Sequence, residues 1–148
     1  MMILSRQSLL AIAAVVDVAL HARPAPVAAK ALAVRNNLPP RHLETLLQSL
    51  VRANILKGVR GPRGGYELAR ERRRISAGDI VRAALDEGGG SEAAEDSALV
   101  TQVVAPMVQD AALSFLGALD GISVDELCQR AARQAVAAGT PAGTDFTI

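Results

Sequence analysis

Tryptophan is missing from the 148 residues, and only Tyr66, Phe115 and Phe146 carry aromatic rings. Hydrophobic residues still make up 50% of the chain, so a core is possible, but Leu, Val, Ile and Ala must build it. Alanine- and leucine-rich stretches lose little side-chain freedom in a helix, so the composition favours helices. Cysteine is as scarce. A lone Cys128 excludes a disulfide framework within the chain, and any zinc or iron–sulfur site built from several of its thiols. It fits a reducing, cytoplasmic setting. Residues 9–20 are apolar, follow Arg6 and precede small residues, the outline of a secretion signal. That run is too short to span a bilayer, and Asp17 inside it opposes insertion. It reads as a helix with one polar face, and no membrane partner is expected. No nucleophile–base–acid set and no paired carboxylates stand out. His21 and His42 read as structural or surface residues, so an enzyme is not expected.

Charge is the first positive signal. The formal net charge of +1 hides a division of the chain. Up to Leu85 there are fourteen Lys and Arg against five Asp and Glu; from Asp86 onward there are two against ten. A basic first part suits a polyanion, and the acidic second part suits another task.

Apolar periodicity divides the chain further. Ser5 can cap a helix that ends near His21, with Leu9, Ile12, Ala13, Val16 and Leu20 on one side. Pro24 and Pro26 stop it. A short helix is expected over 27–35, then a turn at 36–39, then a helix over 40–53 opened by Pro40. In that third helix Leu43, Leu46, Leu47 and Leu50 share a face, opposite Arg41, Thr45, Gln48 and Arg52, with Glu44 beside them. Two helices joined by a turn, the second with a polar and basic outer face, describe a helix-turn-helix. Residues 55–68 read as two short strands around a Gly-Pro-Arg-Gly turn. Eight basic and two acidic side chains between 52 and 74 make this hairpin strongly electropositive.

A short helix is expected over 76–85, and Gly88, Gly89 and Gly90 mark a flexible loop. A long helix follows over 97–119, with Pro106 as a site for a kink. Leu99, Val103, Met107, Ala111, Phe115 and Leu119 recur every four residues, with Val100, Val104, Val108, Ala112 and Leu116 as a second row. So wide a stripe suggests a subunit interface, with Leu99, Val103, Val104, Met107, Val108, Ala111 and Phe115 as its candidates. Ser123 to Glu126 is a capping box for a last helix. The expected organisation is a winged helix-turn-helix unit over 1–85, a loop over 86–96, dimerisation helices over 97–138 and a disordered tail over 139–148. The fold class is mainly α, with a small β-hairpin wing.

The pieces Leu43-Glu44, Leu46-Leu47 and Leu50, followed by Val59-Arg60-Gly61-Pro62-Arg63-Gly64-Gly65-Tyr66-Glu67-Leu68-Ala69-Arg70, resemble the Rrf2 family of bacterial transcriptional regulators. Leu4-Ser5-Arg6, Asp17-Val18-Ala19-Leu20 and the stretch 120–127 look like that family too, so the resemblance reaches to about Arg133. It implies a dimeric winged-helix protein whose long C-terminal helix pairs with its symmetry mate. Many members hold an iron–sulfur cluster with three cysteines in the loop before that helix. Residues 86–98 contain none, so no cofactor is expected here. Pro39 stands where the family often has a serine suited to capping the recognition helix, which removes an acceptor for the first-turn amides.

The expected function is sequence-specific binding of double-stranded DNA by a homodimer, as a repressor on an inverted-repeat operator. Arg41, Glu44, Thr45 and Gln48 are the candidate base readers: Arg pairs with guanine, Gln with adenine, and Glu accepts from cytosine. The resemblance points to Arg41 and Glu44 in particular, and to Arg60 as the wing arginine. Arg60 and Arg63 flank a cationic hairpin tip that can enter a minor groove or meet phosphate. Arg6 and Lys30 are candidate phosphate contacts. Cys128 reads as a buried structural thiol. Two alternatives stand beside this. One is a protein-interaction module using the apolar C-terminal helix. The other is a regulator that senses a small molecule in an apolar cavity between the long helix and the DNA-binding part.

Overall fold

The computed structural model describes residues 4–87 and 96–137. The tail expected at 139–148 and most of the loop expected at 86–96 lie outside them. Six helices and one hairpin follow in the order α1 (Arg6–His21), α2 (Ala29–Arg35), α3 (Pro40–Arg52), β1 (Leu56–Val59), β2 (Gly65–Leu68), α4 (Ala77–Glu87), α5 (Ala105–Asp120) and α6 (Val124–Ala137). A 3₁₀ turn, Arg72–Arg74, links the hairpin to α4.

Local chemistry accounts for most of the boundaries. The Ser5 hydroxyl accepts from the Ser8 amide at 3.2 Å and starts α1. α2 and α3 both end in a Schellman turn with asparagine in the left-handed position: Asn37 at φ 54° and Asn54 at φ 59°. The Leu38 amide returns to the Ala33 carbonyl at 2.9 Å, and the Ile55 amide to that of Leu50 at 3.0 Å. Ser76 and Asp79 cap α4 reciprocally, hydroxyl to amide at 3.0 Å and carboxylate to amide at 3.1 Å. At α6 the Ser123 hydroxyl accepts from the Glu126 amide at 3.1 Å. The two capping serines face each other in a short antiparallel bridge, with Ala77 donating to Ile122 and Val124 to Ile75, both at 2.8 Å.

The core lies where α1, α3 and α4 meet the hairpin and the start of α6. Val15, Val18, Leu32, Leu47, Leu50, Ile55, Ile75, Ile80 and Val124 are all fully buried there. The leucine face of α3 points inward, as its spacing predicts.

One expectation needs correcting. The second helix starts at Ala29 and not at Val27, because Val27 is extended and pairs with Tyr66. The Val27 amide donates to the Tyr66 carbonyl at 2.9 Å, and the Tyr66 amide to that of Val27 at 2.8 Å. The wing therefore has a third, one-residue rung. Gly65 permits it: a Cβ there would run into the Val27 carbonyl. The long helix starts at residue 98, close to the expected 97, and holds a π-helical turn, Val100–Val104, in which the Ala105 amide donates to the Val100 carbonyl. Pro106 has no amide to offer the Gln102 carbonyl, and the wider turn lies directly before it.

α5 packs on α4, and an Arg82–Asp120 ion pair, 2.6 and 2.9 Å, spans the two. Hydrogen bonding to Arg82 holds the Asp120 carboxyl below its ordinary range. No residue of α5 is buried. Phe115, Leu116 and Leu119 are half-buried in its C-terminal part. Leu99, Val103, Met107 and Val108 are more than half exposed, Val104 is 39% exposed, and Ala111 is exposed as well. Phe115 thus differs from the other interface candidates in being partly covered by its own chain.

Candidate nucleic-acid interface

α3 rests its leucines and Ser49 on the core and turns a polar face outward. Arg41, Glu44, Thr45 and Gln48 are all exposed on it. Its N-terminus has two prolines in sequence: Pro39 at the N-cap, extended at φ −65° and ψ 135°, and Pro40 at the first helical position. No side chain caps the first turn, as the replacement of serine by Pro39 implies. Its orphan amides face outward at the end of the helix that a recognition helix presents to base edges.

The wing is built by cross-strand register. Leu56 pairs with Leu68, Lys57 with Glu67, Gly58 with Tyr66 and Val59 with Gly65. Leu56 is buried, while Lys57 and Glu67 form an ion pair of 3.0 Å on the outer side. At the tip the Gly64 amide donates to the Gly61 carbonyl at 2.9 Å, which closes a turn with Pro62 and Arg63 at its centre. Gly61 has φ 118°, a conformation that side chains disfavour. Arg60 is exposed just before that turn and Arg63 is exposed within it. The base of the wing is tied to the first helix, where Arg72 donates to the Ala19 carbonyl at 2.7 Å.

Among the described residues, the side chains of Arg41, Glu44, Gln48, Arg60 and Arg63 enter no ion pair. Arg6 sits in the first turn of α1 and Lys30 in the first turn of α2, both exposed. α3 and the hairpin are consecutive and in contact, so a polar helix face and a cationic tip belong to one unit. That is the arrangement of a winged helix-turn-helix.

Residues 4–130 match the sequence profile of the Rrf2 family, described as iron-dependent transcriptional regulators. The chain belongs to the Rrf2 family. A Synechocystis protein described as a candidate HTH-type transcriptional regulator, slr0846, is 44% identical over 84 residues, 57% of this chain and 56% of that protein. The chain spans about half the length of the curated relatives it matches. Among solved structures, CymR, the global cysteine regulator of B. subtilis, superposes with a TM-score of 0.65 at 28% identity, covering 88% of this chain and 98% of that one. IscR of T. potens gives a TM-score of 0.64 at 29% identity, covering 99% and 94%. The Rrf2 family is one of transcriptional regulators and not of enzymes.

The iron in the family description finds no fitting ligand set. Cys128 is the only cysteine of the chain. It is buried in α6, and burial pushes its thiol up, away from the thiolate that binds metal. Among the described residues, no three His, Cys, Asp or Glu converge on a point.

An open groove of about 430 Å³ runs along α1, lined by Leu9, Ile12, Val16 and Leu20 and reaching Leu127 of α6. No α5 residue lines it.

Sequence reasoning missed one polar cluster. The Asp17 carboxylate is buried and receives Arg35 and Asn36 of the helix-turn-helix. A charge in the middle of an apolar run was the available signal, since such a group needs partners when buried.

Proposed function

We propose that this Rrf2-family chain binds double-stranded DNA as a homodimer and acts as a cytoplasmic repressor on an inverted repeat. The observation that carries the reading is the pairing, in one unit, of an exposed α3 face whose Arg41, Glu44 and Gln48 enter no ion pair among the described residues and a wing tip bearing Arg60 and Arg63. Phosphates attract the cationic residues whatever the sequence, and the polar α3 face supplies discrimination. Two copies related by a two-fold axis present two such units, so the site should have two half-sites about one or two helical turns apart.

A binding selection from random duplex DNA tests this. Wild-type protein is expected to enrich an imperfect inverted repeat, with affinity falling steeply as salt rises. A dimer that enriches no motif would favour the interaction-module reading, for which the exposed apolar α5 is the supporting feature. The helical run Val100–Asp120, α5 with the π-helical turn before it, is long and apolar enough to cross a bilayer by length and composition. Gln102, Gln109 and Asp110 lie within that helix, however, and polar and charged groups at such depth are costly. A partner helix in water suits them better.

Regulation by an iron–sulfur cluster is not part of the proposal. Protein purified without oxygen is expected to be colourless, with iron and sulfide well below one per chain. Stoichiometric iron and sulfide with visible absorbance would show that ligands other than thiolates hold a cluster here.

A further inference from the structure

Asp17 lies in the fourth turn of α1 and is 7% exposed. Burying a carboxylate in an apolar helix face is costly unless it is paired and hydrogen-bonded. Here it is both. Arg35 approaches two-pronged, Nη2 to Oδ1 at 2.7 Å and Nε to Oδ2 at 2.9 Å. The Asn36 Nδ2 donates to Oδ2 at 3.1 Å and to the Leu32 carbonyl at 3.0 Å. His21 completes the surroundings, its Nδ1 2.9 Å from the Asp17 carbonyl and 3.3 Å from Oδ1. The carboxylate holds the Arg35 guanidinium pKa above its ordinary value, chiefly through their hydrogen bonds.

Position gives the cluster its meaning. Arg35 is the last residue of α2, and Asn36 caps it. Asn37 then turns the chain in the left-handed conformation, and Leu38 and Pro39 lead into α3. The start of α3 lacks a side-chain cap, so its direction depends on the turn before it. Asp17 grips that turn from α1, which itself packs against α3, α4 and α6. A base-reading face must be held to about half an ångström to discriminate, whereas phosphate attraction tolerates looser placement.

We propose that Asp17 is a positioning residue for DNA reading: by clamping Arg35 and Asn36 it fixes the entry of α3, and so sets discrimination between sequences and not affinity for DNA in general. The proposal rests on the DNA-binding reading above. Buried ion pairs add little net stability but can select one arrangement over its neighbours, and a polar clamp at a helix-turn-helix fits that use.

The test compares Asp17→Asn and Arg35→Lys with wild type on two duplexes of equal length, one carrying the motif that wild type enriches and one of random sequence. Arg35→Lys keeps the charge, loses the two-pronged contact, and lies at a side chain 38% exposed. It therefore decides the matter if Asp17→Asn does not fold. Both variants are expected to bind the motif about ten- to a hundredfold more weakly, the size of one or two lost base contacts. Binding to the random duplex should stay within about twofold, because the phosphate contacts persist. An equal loss on both duplexes would mean a purely structural role and overturn the proposal, as would an unchanged preference. If wild type itself enriches no motif, the DNA-binding reading fails first, and that result is visible before any variant is made.

Discussion

Glutamate in place of Met107 or Val104 is expected to leave the chain monomeric at micromolar concentration, where wild type sediments as a dimer. The two residues belong to adjacent apolar rows of a helix none of whose residues is fully buried in its own chain, and they are 58% and 39% exposed. Soluble monomers rarely leave such a stripe to water. A two-fold interface presents the same patch twice, so one substitution places two like charges near the axis. Leaving a charge buried without a partner costs about 3–5 kcal/mol, or on the order of 10²–10⁴ in the dimer constant. The winged unit should be untouched, since its core draws on α1, α3, α4 and the start of α6. Circular dichroism should therefore match wild type while sedimentation changes. A glutamate variant that remains dimeric would move the interface elsewhere, with the groove along Leu9, Ile12 and Val16 as the next surface to test.

How much of this was legible in the sequence depended on whether the information was local. Ser5, Ser123 and the leucine face of α3 act within one turn or one face, and spacing alone placed them. The wing was legible for the same reason: Gly61, Pro62 and Gly64 specify a turn between two short strands. Its third rung was not, because Val27 and Tyr66 are distant in sequence and nothing in either residue type announces the other. The π-helical turn was half legible. Pro106 marks a place where the hydrogen-bond pattern must change, but not which alternative the backbone takes. Asp17 stands out in the sequence as a charge that opposes membrane insertion, but nothing in the sequence points to Arg35 and Asn36 as its partners. Long-range polar contacts have no periodicity to betray them.

The candidate site shows the same division. Exposure of Arg41, Glu44, Thr45 and Gln48 follows from the burial of Leu43, Leu46, Leu47 and Leu50, because a helix that commits one face to the core must present the other. The entry geometry of α3 does not follow from that pattern. It comes from tertiary contacts of the preceding turn, and these set where the exposed face is aimed.

Single substitutions on the DNA-facing residues are expected to separate by role. Glu44→Ala and Gln48→Ala should each change preference at particular base pairs, by about 1–3 kcal/mol for a good base contact, and leave binding to random duplex nearly unaltered. Both side chains are exposed on α3, and neither enters an ion pair among the described residues that its loss would disturb. Arg6→Ala should weaken all sequences about equally and flatten the salt dependence by roughly one counterion, as removal of a phosphate contact does. Arg60→Ala should lie between these. The residue is exposed beside the glycine turn. A guanidinium there gains most where the minor groove is narrow and its potential most negative. Its loss should therefore cost affinity chiefly on sites with A·T-rich flanks. Repeating the random-duplex selection with Glu44→Ala and Arg60→Ala measures both effects together: the first should relax the motif's core positions and the second its flanks. If Arg60→Ala instead relaxes the core positions, the wing reads bases directly. If Glu44→Ala leaves the motif intact, α3 is not the reading helix.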